Sequence, residues 1–598
     1  MFRIRATFFL AIAAFLVLLP AAWTQSTSAI QGTVLDSSGA VVPNAKVTIR
    51  NQATSAERTT ETNSSGTYEV PSLPPGTYDV GVEVKGFQHV VAKGLVLLVD
   101  RNSVQNFTLK VADTSQVLTV ESTAPVIEVT TSTVGQAIDQ HTVQEIPLNG
   151  RHFVDLGLLI PGSVTPPQNG FLTAPLRGQG SFAFNTAGNR EDTVNFMVNG
   201  INLNDMVQNQ ITFQPSINTI SEFKVDNSTY SAEYGRNSGA IVNIATRSGS
   251  NSYHGELFEF LRNHVFDARN FFNRPPAAQS TFKRNNFGAN FGGPIIKDKT
   301  FFFLSYEALR QRQGIPLNPR VLTAGERALV TNPTSLQLLN FIPPANDPTG
   351  TLFLGSATAP VDIDQGTADV SHEFNSSLRL HGYYAIQHDL RQEPTLQGNS
   401  VPGFGDTRQS QRQIGTLSLD QTFTPNLVNE ARIGFNRIHI TFNPNALLNP
   451  VALGIQNGNN FNSGLPQITI GGTQVNIGGP AGFPQGRGDT TAVVSDTLNY
   501  LYGKHSFKFG GEFRRFYNDN FNSDTGTLGF LNLTDFNNGA PNVFALTPGT
   551  LPSRIASGEL GFFVQDNWKI MTRLTLELGF RYDWNQTPTE ARNRFANF

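Results

Sequence analysis

The strongest signal in the chain is strict alternation of apolar and polar residues through its C-terminal half. Leu574, Leu576, Leu578, Phe580, Tyr582 and Trp584 fall on one face of an extended strand. Thr575, Glu577, Gly579, Arg581 and Asp583 fall on the other. In the same way Phe507, Phe509, Gly511 and Phe513 oppose Lys508, Gly510, Glu512 and Arg514. A hairpin is written in residues 417–421, the turn Thr424-Pro425-Asn426, and residues 429–435. Alternation held over roughly ten residues, with charges all along one face, predicts strands that cross a membrane with the apolar side outward. Strands of a soluble sandwich also alternate but average nearer 5–6 residues. Tyr582 and Trp584 at the end of one run fit an aromatic girdle. About nine to eleven such segments follow residue 251. Between them lie stretches rich in Asn, Pro and Gly, at about 311–363, 443–488 and 518–553, predicted to be long extracellular loops.

The N-terminal part has a shorter rhythm. Gln31-Gly32-Thr33-Val34, Lys46-Val47-Thr48-Ile49, Gly66-Thr67-Tyr68-Glu69-Val70 and 77–82 alternate. They are separated by Asp36-Ser37-Ser38-Gly39, Asn63-Ser64-Ser65-Gly66 and Pro74-Pro75-Gly76, which predicts a small β-sandwich. Residues 113–250 mix short strands and polar turns with a brief helical stretch at 153–160. At the start, Arg3 and Arg5 precede an apolar run of 12 residues, 8–19, and then Pro20-Ala21-Ala22-Trp23-Thr24. That pattern predicts a secretory signal peptide cleaved near Thr24. The run falls short of the roughly 20 residues a spanning helix needs. The expected organisation is a signal peptide at 1–24, a sandwich at 25–112, a mixed domain at 113–250 and barrel strands at 251–598.

Composition narrows the function classes. Lys and Arg number 43 against 46 Asp and Glu, so no basic excess points to nucleic acid. Charged residues make up 15%, below the roughly 25% of an ordinary soluble domain. Phe is abundant at 46 and Gly at 54, as suits a β-rich protein with apolar surface. Cysteine is absent, which removes disulfides, thiolate metal sites, a cysteine nucleophile and a lipoprotein anchor cysteine.

Two ordered sets of motifs carry a resemblance. In the first domain G-T-V-x-D-x-x-G-x-x-x-P-x-A-x-V is followed by S-G-x-Y, L-P-P-G-x-Y and Lys85-Gly86-Phe87. This resembles the carboxypeptidase-regulatory-like domain, a non-catalytic, carbohydrate-binding-like accessory fold; no H-x-x-E or H-E-x-x-H pair is present to hold zinc. In the second, 146–151, Gly188-Asn189-Arg190, 195–201, 220–225 and 230–243 follow in order and resemble the plug domain of TonB-dependent receptors. Residues 291–303 resemble the early barrel strands of the Oar-like branch of those receptors, which also carries an N-terminal regulatory-like domain. The resemblance implies a mainly β protein: an N-terminal β-sandwich, a small α+β plug and an outer-membrane antiparallel β-barrel. It further implies import of a nutrient such as an iron chelate, oligosaccharide or peptide, powered from the inner membrane of a Gram-negative-type bacterium. Receptors of this type are expected to close with about twenty-two strands, so the chain is expected to hold only part of a barrel.

Other chemical signals are thin. Gly178-x-Gly180-x-x-Ala183 matches a loose dinucleotide fingerprint but lacks the flanking strand and helix. His141 and Glu145 could share a helix face but have no third ligand. Arg190 and Arg236 read as ion-pair or turn partners. No catalytic residue, cofactor site or metal site is expected, and no enzymatic activity. Val117, Leu118, Thr119 and Val120 read by themselves as an ordinary edge or linker strand; they lie between sandwich and plug, where the resemblance places a TonB box. Such an extended segment would pair with a periplasmic energy-coupling protein by strand addition. The alternative expectation is a surface or adhesion protein whose loops bind a partner without transport.

Overall fold

A computed structural model describes residues 28–595 apart from 112–116, 122–131, 149, 165–183, 187, 191–192, 206–208, 210, 270–278, 396–398, 457–463, 480–482, 548–551 and 572–573. The expected signal peptide and the glycine fingerprint at 178–183 lie outside the described residues.

Short alternating runs separated by tight turns build the N-terminal sandwich. One sheet joins β1 (Ser28–Asp36) to β4 (Thr67–Leu73), β7 (Asn102–Val104) and β8 (Phe107–Leu109). The other runs β3-β2-β5-β6-β9, from β2 (Lys46–Asn51), β3 (Glu57–Glu61), β5 (Gly76–Glu83), β6 (His89–Leu97) and β9 (Val117–Glu121). Alternate residues Ile30, Val47, Ile49, Tyr68, Val80, Val82 and Leu95 interleave as one apolar core. The turns follow from the sequence: Asp36 accepts hydrogen bonds from the Ser38 and Ala40 N–H groups. The β3 strand, E-R-T-T-E, was not among the expected segments, because it has no apolar side chain to bury.

The plug is a five-stranded sheet in the order β10-β13-β14-β11-β12. Its strands are β10 (Val134–Ile138), β11 (Asn195–Val198), β12 (Ile201–Asn202), β13 (Ile220–Ser228) and β14 (Ile241–Thr246). The helix Gln140–Glu145 is capped by the Asp139 side chain on the Thr142 N–H. The expected helical stretch is a 3₁₀ turn, Phe153–Leu159, which drives Phe153 and Leu156 into the core. There the Phe153, Phe196 and Phe184 rings meet edge to face. The same cluster takes in Tyr383, Ala385, Ile414 and Val493 of the barrel wall, so the plug core is completed by the lumen.

The wall is one long antiparallel sheet. Its strands are β15 (His254–Asn263), β16 (Phe282–Ile296), β17 (Thr300–Leu317), β18 (Gly355–Asn375), β19 (Leu378–Gln392), β20 (Asp406–Thr424), β21 (Leu427–Pro444), β24 (Gln485–Tyr502), β25 (His505–Asn522), β28 (Ser553–Met571) and β29 (Leu574–Asn585). Each pairs with its neighbour along the chain, and β30 (Thr589–Glu590) adds to β28. Period-2 alternation sets the two faces. Leu304, Tyr306, Phe513, Phe562 and Phe580 stay exposed on the outside, while Lys508, Glu512 and Arg514 turn inward. Among the described residues no helix is long and apolar enough to cross a membrane, which says nothing of a wall built from strands.

The two ends of the wall differ. At one end, turns such as 297–299, 376–377 and 503–504 are tight. At the other, the expected polar loops are shorter than the sequence suggested, because β17 runs to Leu317 and β18 begins at Gly355. They are also folded. The connections contribute β22 (Gln467–Ile470), β23 (Val475–Ile477), β26 (Thr527–Phe530) and β27 (Val543–Ala545) to one sheet. Three short helices, Ala324–Ala328, Pro333–Leu339 and Leu533–Asn537, lie in the same connections, and the last two bury Leu338, Leu339 and Phe536 beside this sheet. Val321, Leu338, Ile342, Phe404, Ile468, Ile477, Phe530 and Phe536 form a separate apolar core inside this cap.

Candidate functional site

Beside the apolar cluster it shares with the wall, the plug meets the wall through polar contacts, many of them on one loop. In residues 230–237, the Glu233 carboxylate takes the Lys508 ammonium at 2.8 and 2.9 Å, and its backbone carbonyl accepts from Arg581. Arg236 pairs with Glu559 at 3.0 Å and lies over the Phe516 ring at 5.0 Å. Arg236 sits at φ +72°, a left-handed geometry that aims its guanidinium at the wall. Gln565 accepts from the Ser231 hydroxyl and the Ala232 N–H. Arg236 is thus the ion-pair partner the sequence suggested. On the far side Arg412 donates to the Thr212 carbonyl at 3.0 Å and Ser216 bonds Glu307.

Much of the wall's charge is balanced within the wall. Arg391–Glu393, Arg408–Asp406, Arg432–Glu430, Arg487–Asp489, Arg514–Glu512 and Arg581–Asp583 are all ion pairs between residues two apart. Residues two apart share one face of a strand, so each strand supplies both signs to the lumen. Burial of a lone charge is costly, and these pairs avoid it without calling on the plug.

Sandwich and plug meet through a second polar group. Asp100, just beyond β6, approaches Lys224 at 3.2 Å, and Lys224 approaches Asp226 at 3.1 Å. Asn243 donates to Asp100 at 3.2 Å, and the Val99 N–H bonds Glu222. Burial raises Asp226 to about 7 despite the Lys224 charge, and raises Glu222 to about 7 despite the bond from Val99. Burial opposes ionisation of Asp100 as well, yet the Lys224 charge holds its carboxyl below the ordinary value. Gly135 covers this group from β10: a Cβ there would lie 2.2 Å from Asp226 Oδ1, so no larger residue fits. The sequence hid the group because Asp100 and Lys224 are far apart along the chain.

Val117–Val120 lie in β9, paired in parallel with His89–Ala92 of β6 at the edge of the sandwich sheet. Leu118, Thr119 and Val120 are exposed. His141 and Glu145 fall on the helix Gln140–Glu145, and no group of three or more metal-ligating side chains occurs among the described residues.

Comparison with known proteins decides the family. The model of the outer membrane beta barrel domain matches residues 245–329 and 326–598. The chain belongs to the outer-membrane β-barrel family. The model of the carboxypeptidase regulatory-like domain matches residues 29–110 of this barrel protein. The barrel protein is similar to the TonB-dependent transporter Oar of Myxococcus xanthus, with 25% identity over 648 residues. That match covers 96% of the chain and 58% of the relative, so the chain spans a little over half the length of the curated relative it matches. In fold it is similar to the outer membrane transporter YddB of Escherichia coli, with a TM-score of 0.51 and 11% identity over 76% of this chain and 57% of that one. It is an outer-membrane β-barrel protein with a carboxypeptidase regulatory-like domain at residues 29–110.

Proposed function

We propose that this receptor imports a nutrient across the outer membrane, with energy delivered by a TonB-type periplasmic protein acting on Val117–Val120. The carrying observation is the interface: the plug shares an apolar cluster with Tyr383, Ala385, Ile414 and Val493 of the wall, and polar contacts, among them Glu233–Lys508 and Arg236–Glu559, make the rest of the tie. The polar contacts can be broken and remade under modest load, and only a few wall side chains join the buried apolar cluster of the plug. β9 is extended and paired on one side, the conformation strand addition requires. The iron chelate, oligosaccharide and peptide classes all suit a polar lumen, and the role is binding and passage, not catalysis. Deleting residues 117–120 from the complete gene should abolish energy-dependent accumulation of the labelled nutrient and leave surface binding intact. Unchanged accumulation would remove the coupling role of this strand. Surface binding with no accumulation even in the unaltered receptor would establish the adhesion alternative instead.

A further inference from the structure

The N-terminal sandwich spans the short-turn end of the wall. Its contacts fall on several different connections. Arg58 donates to Thr422 at 3.0 Å and the Thr60 hydroxyl to the Pro425 carbonyl at 3.3 Å, both at the β20–β21 turn. Asn63 donates to the Gly503 carbonyl at 2.7 Å, at the β24–β25 turn. Lys569, near the end of β28, reaches Thr33 at 3.1 Å, and the Asn251 N–H, just before β15, bonds the Ala53 carbonyl at 2.9 Å. Every one of these is polar. The sandwich core and the plug core are separate apolar clusters with no residue in common. Polar contacts between separately cored units are the kind that open and close.

The link to the plug is narrower and better buried. Asp100 sits at φ +50°, a left-handed geometry uncommon for a side chain larger than glycine, which turns it to Lys224. Lys224 carries two carboxylates, Asp100 from the sandwich side and Asp226 from its own strand. A space of about 760 Å³, the size of a small-ligand site, separates Arg58 and Tyr78 of the sandwich from Glu222 and Arg247 of the plug and Glu373 and Arg379 of the wall.

We propose that the sandwich is a gate docked across the inner mouth of the barrel, bolted to the plug by Asp100 on Lys224, and that it swings away as the receptor works. Any solute that passes the plug enters the space behind this gate. β9 rides on the gate, so a pull on that strand loads the sandwich before it loads the plug. The working-cycle part rests on the import reading above; docking and bolting do not.

These 598 residues contain no cysteine, so single thiols placed in them can be tested in the complete receptor once any cysteine beyond them has been replaced by serine. Thr60 is buried beneath the β20–β21 turn, so a T60C thiol is shielded from a water-soluble maleimide while the gate is docked. Adding D100N, which keeps the side-chain shape, should speed labelling of the purified receptor by about tenfold, the effect of weakening one charged hydrogen bond. Equal labelling rates with and without D100N would overturn the bolt. As a measurement that needs no weakened variant, A53C with N251C should form a disulfide under mild oxidation, since a backbone hydrogen bond sets these residues within disulfide reach. Failure to crosslink in folded receptor would overturn docking. In cells, an uncoupler should slow T60C labelling. If D100N speeds labelling but the uncoupler changes nothing, the gate stands and the energised import reading falls.

Discussion

The two ends of the barrel are closed by different physics. At the outer end, connections from several strand pairs bury Phe404, Ile468, Phe530 and Phe536 in a core of their own, and Ser335 reaches across to the Phe536 carbonyl. At the inner end, a sandwich with a complete core of its own touches the wall through isolated hydrogen bonds. Apolar burial is nondirectional and scales with area, so it fixes the cap as a unit. Hydrogen bonds exchanged for water are worth little net, so the inner contacts set position without permanence. The contrast separates a part built to stay from a part built to leave.

The comparison can be broken most forcefully at the cap. Phe536→Ala removes a fully buried ring and should destabilise the cap by about 3–5 kcal/mol. Limited proteolysis within residues 523–552 would show it, and an unchanged cleavage pattern would mean the cap core is not what holds these connections. The plug latch comes next. Lys508→Met leaves the Glu233 carboxylate buried without its ammonium, and Lys508 is itself about a fifth exposed, so a loss of about 2 kcal/mol is expected. Urea-dependent protection of the plug against trypsin would report it; equal midpoints would assign the hold to the remaining contacts, Arg236–Glu559 and the apolar cluster among them.

The smallest effect sharpens the inner end. Glu222 and Asp226 have pKa values raised by burial to about 7, from 4.5 and 3.8. The buried state therefore binds more protons than the open one between those values, and raising the pH disfavours it. Asp139 and Asp100 add negative charge nearby, and Lys224 opposes them. The lowered value of Asp100 acts the other way, but only near and below its ordinary 3.8. Docking should therefore weaken from about pH 5 to 7 and level off above, seen as T60C labelling that speeds up over that range. A flat profile would place the burial of both carboxyls within the plug and not at the gate.

Much of the wall could be read directly. β25 and β29 announce themselves in Phe507–Phe513 and Leu574–Trp584, and the 417–435 hairpin is β20 joined to β21, because period-2 burial leaves a local trace. Four sandwich strands were legible for the same reason. The cap was not: its apolar residues are thinly spread among Asn, Pro and Gly, and they meet only because distant connections converge. The Asp100–Lys224 contact likewise depends on how two domains dock, which no local pattern records. Val117–Val120 is an extended strand in the structure, as its composition suggests; its partner is the subject of the proposals above.

The ion pairs two residues apart along the lumen have a consequence for how such barrels arise. Pairs such as Glu430–Arg432 and Glu512–Arg514 bring charge and counter-ion on one strand. A hairpin of this kind could be copied, lost or traded between barrels without stranding a charge in the neighbour it leaves behind. The wall is, in that sense, written in interchangeable words, and barrel circumference becomes a quantity that inheritance can adjust by the hairpin.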